Sequence, residues 1–272
     1  MTSRIALIAG AGQFPFHVAA AARRQGTSVL AIGIQGWADP KLAREVETYE
    51  EMGIGQLGAL VARLKSQDVR QAIMAGKVTK AVLMNGQQAF DADFRQILAG
   101  AKNFSVNALL GAVGERLARE GITLLDSSTF LRADLCPVGA VTSRGPTEAE
   151  QADIAVGVRA ARQLAGLDIG QTVVVKNLIV VAVEAMEGTD TTIHRAHALA
   201  GNGLVVVKIA SPDQDRRFDL PIIGAATLAT LQALHVSCLA VEAGTTLLLD
   251  RPMLIKAADG AGMCIVGVAA GA

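Results

Sequence analysis

The chain has 272 residues, 51% of them hydrophobic and 18% charged, and its 25 acidic and 25 basic side chains cancel. That is enough apolar material for one large core or two ordinary ones, and it excludes wholesale disorder. Zero net charge and 3% aromatic residues argue against nucleic acid as a partner, because they offer neither a basic field nor a set of stacking rings.

The three cysteines, Cys136, Cys238 and Cys264, stand far apart with no CxxC spacing. They are expected to be buried, reduced thiols rather than zinc ligands or a disulfide framework. The apolar runs are too short for a signal core or a membrane span, so a cytoplasmic protein is expected.

In chain order, residues 5–9 read as a strand, then a glycine turn, then a helix with Pro15 at its start and Arg23, Arg24 and Gly26 closing it. A strand over 28–34, a helix over 57–65, a strand over 71–75, a helix over 108–120 and a strand over 122–125 follow. This alternation predicts a parallel sheet covered by helices, with ligands beyond the carboxyl ends of its strands. Residues 132–146 carry two prolines and two glycines without helical period and read as a connector. The expected domains are therefore 1–132, Rossmann-like, and 147–272, a mixed α/β domain, joined by residues 133–146. Thr147 with Glu150 three residues on is a capping-box pattern opening a helix to about 164. Two β-branched strands turning near Lys176 and Asn177 come next, then a helix over 190–199 and a strand over 204–209. After a polar loop come a helix over 224–234, strands over 238–242 and 246–249, a helix from Pro252 and a strand from Met263.

Three stretches carry chemistry. The first is Gly10, Ala11, Gly12, Gln13, Phe14 and Pro15, a glycine turn between strand and helix that presents backbone N–H groups to an anion. Pro15 replaces the third glycine of a dinucleotide fingerprint, which disfavours NAD and a nucleotide-dependent oxidoreductase. The second runs from Glu184 to Asp190 and sets carboxylates beside Gly188 and Thr189 at a helix start. It suits a hard cation with a phosphate, or simple capping. The third runs from Lys208 to Gly224. There Asp219 precedes an apolar Leu-Pro turn, and Arg217 has the fork geometry that binds phosphate. His194 and His197 lack a third ligand, and His17 and His235 read as helix-face residues.

These stretches together resemble the UDP-2,3-diacylglucosamine pyrophosphatases of lipid A biosynthesis, the type unrelated to the calcineurin-like enzymes. The resemblance rests on IALIAGAGQFP, GLDIGQ, VAVEAMEGTD, VVKIASPDQDRRFDLPIIG and AVEAGTTLLLD, and covers essentially the whole chain. It implies two α/β domains with substrate held between them and a required Mg²⁺ or Mn²⁺. The implied reaction is attack of water on the phosphorus nearest uridine, giving UMP and 2,3-diacylglucosamine 1-phosphate, with the family's essential aspartate at Asp219. Asp190 and Asp215 are the further metal candidates. Expected substrate contacts are Gly10, Gly12, Gln13, Gly76, Lys77, Gly188, Thr189, Lys208, Gln214 and Arg217. The acylated substrate implies transient contact with the inner membrane by a peripheral protein, and a homodimer is allowed. A non-catalytic sugar-nucleotide sensor and a hydrolase of another nucleotide-linked substrate are the alternative readings.

Overall fold

The computed structural model describes residues 4–78, 89–100, 106–211 and 214–270. It is mixed α/β and divides into two compact units. The first comprises residues 1–132 together with Asp215–Asp219, and the second comprises Ala133–Gln214 and Leu220–Ala272.

The first unit is built on a five-stranded parallel sheet in the order β3-β2-β1-β4-β5. Its strands are β1 (Arg4–Ala9), β2 (Ser28–Ile34), β3 (Thr48–Met52), β4 (Gln71–Ala75) and β5 (Thr123–Leu124). The helices are α1 (Phe14–Arg24), α2 (Leu57–Ser66), α3 (Ala92–Gly100) and α4 (Val106–Arg119). β1, β2 and β4 are buried on both faces, which is why they read as unbroken aliphatic runs. One core cluster packs Ile8, Leu30 and Ile32 against Leu60, Leu64, Val113 and Leu117. β3, with sequence TYEEM, has no buried residue, and this edge position explains why its polar sequence does not predict a strand. The sequence pattern likewise does not predict α3. The chain steps outward from β1 to β2 and β3 on one side, and to β4 and β5 on the other. The carboxyl ends of β1 and β4 therefore form the point where strand order reverses, the place where open α/β sheets bind ligands.

The second unit holds a six-stranded mixed sheet in the order β6-β13-β11-β9-β7-β8. The strands are β6 (Gly139–Ala140), β7 (Thr172–Lys176), β8 (Ile179–Val183), β9 (Val205–Lys208), β11 (Cys238–Glu242) and β13 (Cys264–Val268). β9, β11 and β13 run parallel, whereas β6, β7 and β8 pair antiparallel with their neighbours. A separate two-stranded ladder joins β10 (Ile222–Ile223) to β12 (Leu247–Leu248). α5 (Glu148–Gly166) covers one face through Ile154, Val158 and Ala161 against Val173, Val175, Val205 and Val207. Gly157 lets it come close, since a Cβ there would lie 2.5 Å from Val207 Cγ2. α6 (Thr189–Ala200), α7 (Ala225–Ala233) and α8 (Arg251–Gly260) supply Ile193, Leu228, Leu231 and Leu254 to a second core cluster with Val174, Val206, Leu239 and Ile265. The three thiols are free and buried.

Two further features differ from the sequence reading. The expected connector is stitched into the second unit rather than standing apart. Cys136 N donates to Thr246 O at 2.8 Å, Ile265 N donates to Thr142 Oγ1 at 2.9 Å, and β6 pairs with β13. Irregular sequence here reflects a chain that satisfies its backbone groups one by one rather than through a long ladder. His235 lies past the end of α7 with a φ of 48°, so it is a turn residue and not on a helix face.

Candidate functional site

At the reversal point of the first sheet, two glycine turns touch. Gly10 N donates to Ala75 O at 2.8 Å, and Ala11 and Lys77 exchange backbone hydrogen bonds at 2.9 Å each. A Cβ on Gly10 would lie 2.7 Å from Lys77 O, and one on Gly76 would lie 2.7 Å from the Gly10 carbonyl carbon. Gly76 is also at φ +98° and Gly12 at φ +97°, a region that side chains rarely adopt. Gly10, Gly12, Gly76 and Lys77 are thus brought together at the carboxyl ends of β1 and β4. Gln13 sits exposed at the N-terminal cap of α1 without a side-chain cap bond. Gly76→Ala is expected to destabilise the protein by about 1–3 kcal/mol through strain and forced backbone shift. Urea unfolding measures it, and unchanged stability would show that the close approach is dispensable.

The segment Asp215–Asp219 is placed on this same unit. The sequence reading assigns the entire loop to the second domain; the chain instead crosses to the first unit for these residues and returns at Leu220. The loop after β5 receives it. Ser127 N donates to Arg216 O at 3.0 Å, and Ser127 Oγ lies 2.7 Å from Arg217 O and 2.8 Å from Met74 O. Asp126 pairs with Arg216 at 3.0 Å, and Phe218 packs on the first unit's core. Asp219 is half-buried, and its N–H donates to Asp215 O at 2.9 Å, which closes a turn.

Arg217 grips Asp215 with its fork, Nε to Oδ1 at 2.9 Å and Nη2 to Oδ2 at 2.5 Å. The Arg217 hydrogen bond holds the Asp215 carboxyl below its usual range against the opposing effect of partial burial. Gly114 of α4 leaves room for the guanidinium, since a Cβ there would lie 3.2 Å from Arg217 Nη1.

The second unit carries its own polar cluster. Lys208, at the end of β9, donates to Thr189 Oγ1 at 2.8 Å and approaches Thr172 Oγ1 at 3.4 Å. Thr189 donates to Glu184 Oε1 at 2.9 Å, and Lys208 Nζ stands 3.9 Å from Glu184 Oε2. Burial alone would raise the Glu184 pKa. The Lys208 charge, the Thr172 and Thr189 hydroxyls and the Gln171 N–H together outweigh it and hold the carboxyl low. Gly188 caps α6 at φ 83°, and Asp190 is exposed in that helix's first turn. Gln214 accepts from Ser211 N at 3.0 Å through its side chain.

The structure therefore brings Lys208 and Thr189 together in one unit, and Gly10, Gly12, Gly76, Lys77, Arg217 and Asp219 onto the other. Among the described residues, no group of three or more His, Cys, Asp or Glu stands placed to hold a metal ion. Sequence reasoning missed Asp126 and Ser127, and it named Glu184 only as part of a stretch. The signal for the first two was their place at the carboxyl end of a parallel strand, where ligands and loops converge.

Comparison with known proteins matches residues 4–133 to the LpxI N-terminal domain and residues 137–266 to the LpxI C-terminal domain. A relative from Caulobacter vibrioides, UDP-2,3-diacylglucosamine pyrophosphatase LpxI, is 30% identical over 97% of both chains. Among solved structures, the Bordetella bronchiseptica enzyme WbmH with NAD⁺ is 12% identical, with 43% of this chain and 34% of that one covered and a TM-score of 0.27. UDP-glucose 4-epimerase from Bifidobacterium longum with NAD⁺ and UDP is 10% identical, with the same coverage and a TM-score of 0.28. The chain spans about a third of the length of these two proteins, and scores this low say nothing further about it. Two domain models that between them account for nearly every residue, and a relative aligned over almost its full length, leave one conclusion: the chain belongs to the LpxI family.

Proposed function

We propose that the protein hydrolyses the pyrophosphate of UDP-2,3-diacylglucosamine to UMP and 2,3-diacylglucosamine 1-phosphate, in lipid A biosynthesis. The observation that carries this reading is the match to the Caulobacter pyrophosphatase over 97% of both chains. The geometry is compatible with it. The N–H groups of Gly10, Ala11 and Lys77 are spent on bonds between the two turns and β4, so a phosphate would meet the N-terminal end of α1 that follows the Gly12 turn. Asp219, held on the same unit, would orient the attacking water or accept its proton. Lys208 is a cation with fixed hydroxyl neighbours and would meet a phosphate oxygen; a charge-assisted hydrogen bond of this kind contributes roughly 1.5–3 kcal/mol.

The reaction is expected to need Mg²⁺ or Mn²⁺. The donor set fits such an ion only in part: Asp215 is committed to Arg217, and Asp190 is exposed on the other unit. Mg²⁺ commonly takes one or two protein carboxylates, with phosphate oxygens and water completing the shell, and Asp219 would supply that carboxylate. The bound ion would neutralise charge that develops on the pyrophosphate. No described helix is long and apolar enough to cross a membrane. Transient contact with the bilayer is expected from the acylated substrate, which resides there.

The test is UMP release from UDP-2,3-diacylglucosamine with and without Mg²⁺ or Mn²⁺, run beside calorimetry with UDP. Turnover that requires the metal supports the reading. Tight UDP binding with no UMP released would replace it with a sugar-nucleotide sensor.

A further inference from the structure

We propose that Asp126, Ser127 and Ser128 form a latch that positions Asp219, with Ser127 as the positioning residue; this rests on the pyrophosphatase reading. Asp219 belongs to a segment of only five residues, Asp215–Asp219, that leaves the second unit's sequence and packs on the first. So short an excursion holds one backbone turn and neither helix nor strand, so side chains must fix that turn to the first unit.

Ser127 is 1% exposed and spends every donor it has on this task. Its N–H goes to Arg216 O at 3.0 Å. Its hydroxyl carries a single proton between two carbonyls, Arg217 O at 2.7 Å and Met74 O at 2.8 Å. Met74 lies in β4, directly before Ala75 and the Gly76 turn. One side chain thus ties the backbone two residues before Asp219 to the strand whose glycine turn is bonded to the turn leading into α1.

The neighbours reinforce the tie. Asp126 Oδ1 accepts from Ser128 N at 2.7 Å and Ser128 Oγ at 2.6 Å, which fixes the turn, while Asp126 Oδ2 pairs with Arg216 Nε at 3.0 Å. Phe218 anchors the far side in the core. Buried backbone carbonyls need donors, and losing one leaves an acceptor unsatisfied in low dielectric. The segment would then shift, and displacements of about 1 Å at a reacting group can cost about 100-fold in rate.

The experiment is a double-mutant cycle on UMP release with Ser127→Ala and Asp219→Asn. Ser127→Ala is expected to lower kcat about 10–100-fold with KM changed less than about 3-fold. The double mutant is expected to be no slower than Asp219→Asn alone, because a latch has nothing to position once the carboxylate is gone. Losses that multiply would overturn the latch, as would normal kcat in Ser127→Ala beside a dead Asp219→Asn. Full turnover in Asp219→Asn would instead overturn the pyrophosphatase site, and the latch with it. Should Ser127→Ala prove insoluble, Arg216→Gln, a change at a half-exposed ion pair, reads the same coupling and must show the same non-additivity.

Discussion

Asp219→Asn is expected to cut UMP release at least about 100-fold, with substrate affinity nearly unchanged. Asparagine keeps the shape of the side chain and removes its charge. The backbone turn at this residue, Asp219 N to Asp215 O at 2.9 Å, is made by main-chain atoms that the substitution leaves unchanged. A charge that acts on the attacking water or a metal stabilises mainly the transition state, and its loss appears in kcat rather than in binding. UMP release with Mg²⁺ or Mn²⁺ measures the first quantity, and calorimetry on the same preparation measures the second. Near-normal turnover would remove Asp219 from the mechanism. A parallel loss of affinity would assign it to ground-state binding instead.

Glu150→Ala is expected to cost about 1–3 kcal/mol of stability without touching the proposed site, because it removes a buried carboxylate from a half-exposed arginine and breaks a helix cap together. Glu150 is 8% exposed. It accepts from Arg144 at 2.8 and 2.9 Å and from Thr147 N at 2.8 Å, and Thr147 Oγ1 accepts from Glu150 N at 3.2 Å. This is the capping box that opens α5. Arg144 also donates to Gly262 O at 2.7 Å and Ser237 O at 2.6 Å, so the pair ties the former connector to the strand ends of the second unit. Burial pushes the Glu150 carboxyl up, but Arg144 and the Thr147 N–H pull it down further, to about 2 from an ordinary 4.5. A lowered folded-state pKa stabilises at pH values above the unfolded pKa. The contribution is therefore complete above about pH 4.5, falls as the unfolded carboxyl takes up its proton, and is gone below about 2. Unfolding of wild type and Glu150→Gln across this range should converge on acidification. Curves that stay parallel, or a Glu150→Ala loss under about 0.5 kcal/mol, would mark the network as inconsequential.

The sequence by itself determined the alternation of strands and helices, the glycine turn after β1, the capping box at Thr147 and the family. Each of these is written in a few adjacent residues: aliphatic runs buried on two faces, glycines where a side chain would clash, and a hydroxyl and a carboxylate three positions apart. The tertiary structure alone decided the rest. β3 and β10 form because a neighbouring strand offers its edge, not because TYEEM or Ile222–Ile223 has a strong strand pattern. Lys208 and Glu184 meet across 24 positions, in a pairing set by strand register and the start of α6. The Asp215–Asp219 segment belongs to the first unit because Ser127 reaches across 90 positions to its carbonyls. Contacts at such separation carry no local period. They arise only when the sheet has fixed where its strands end, and buried carbonyls there must find donors from whatever chain the fold brings alongside.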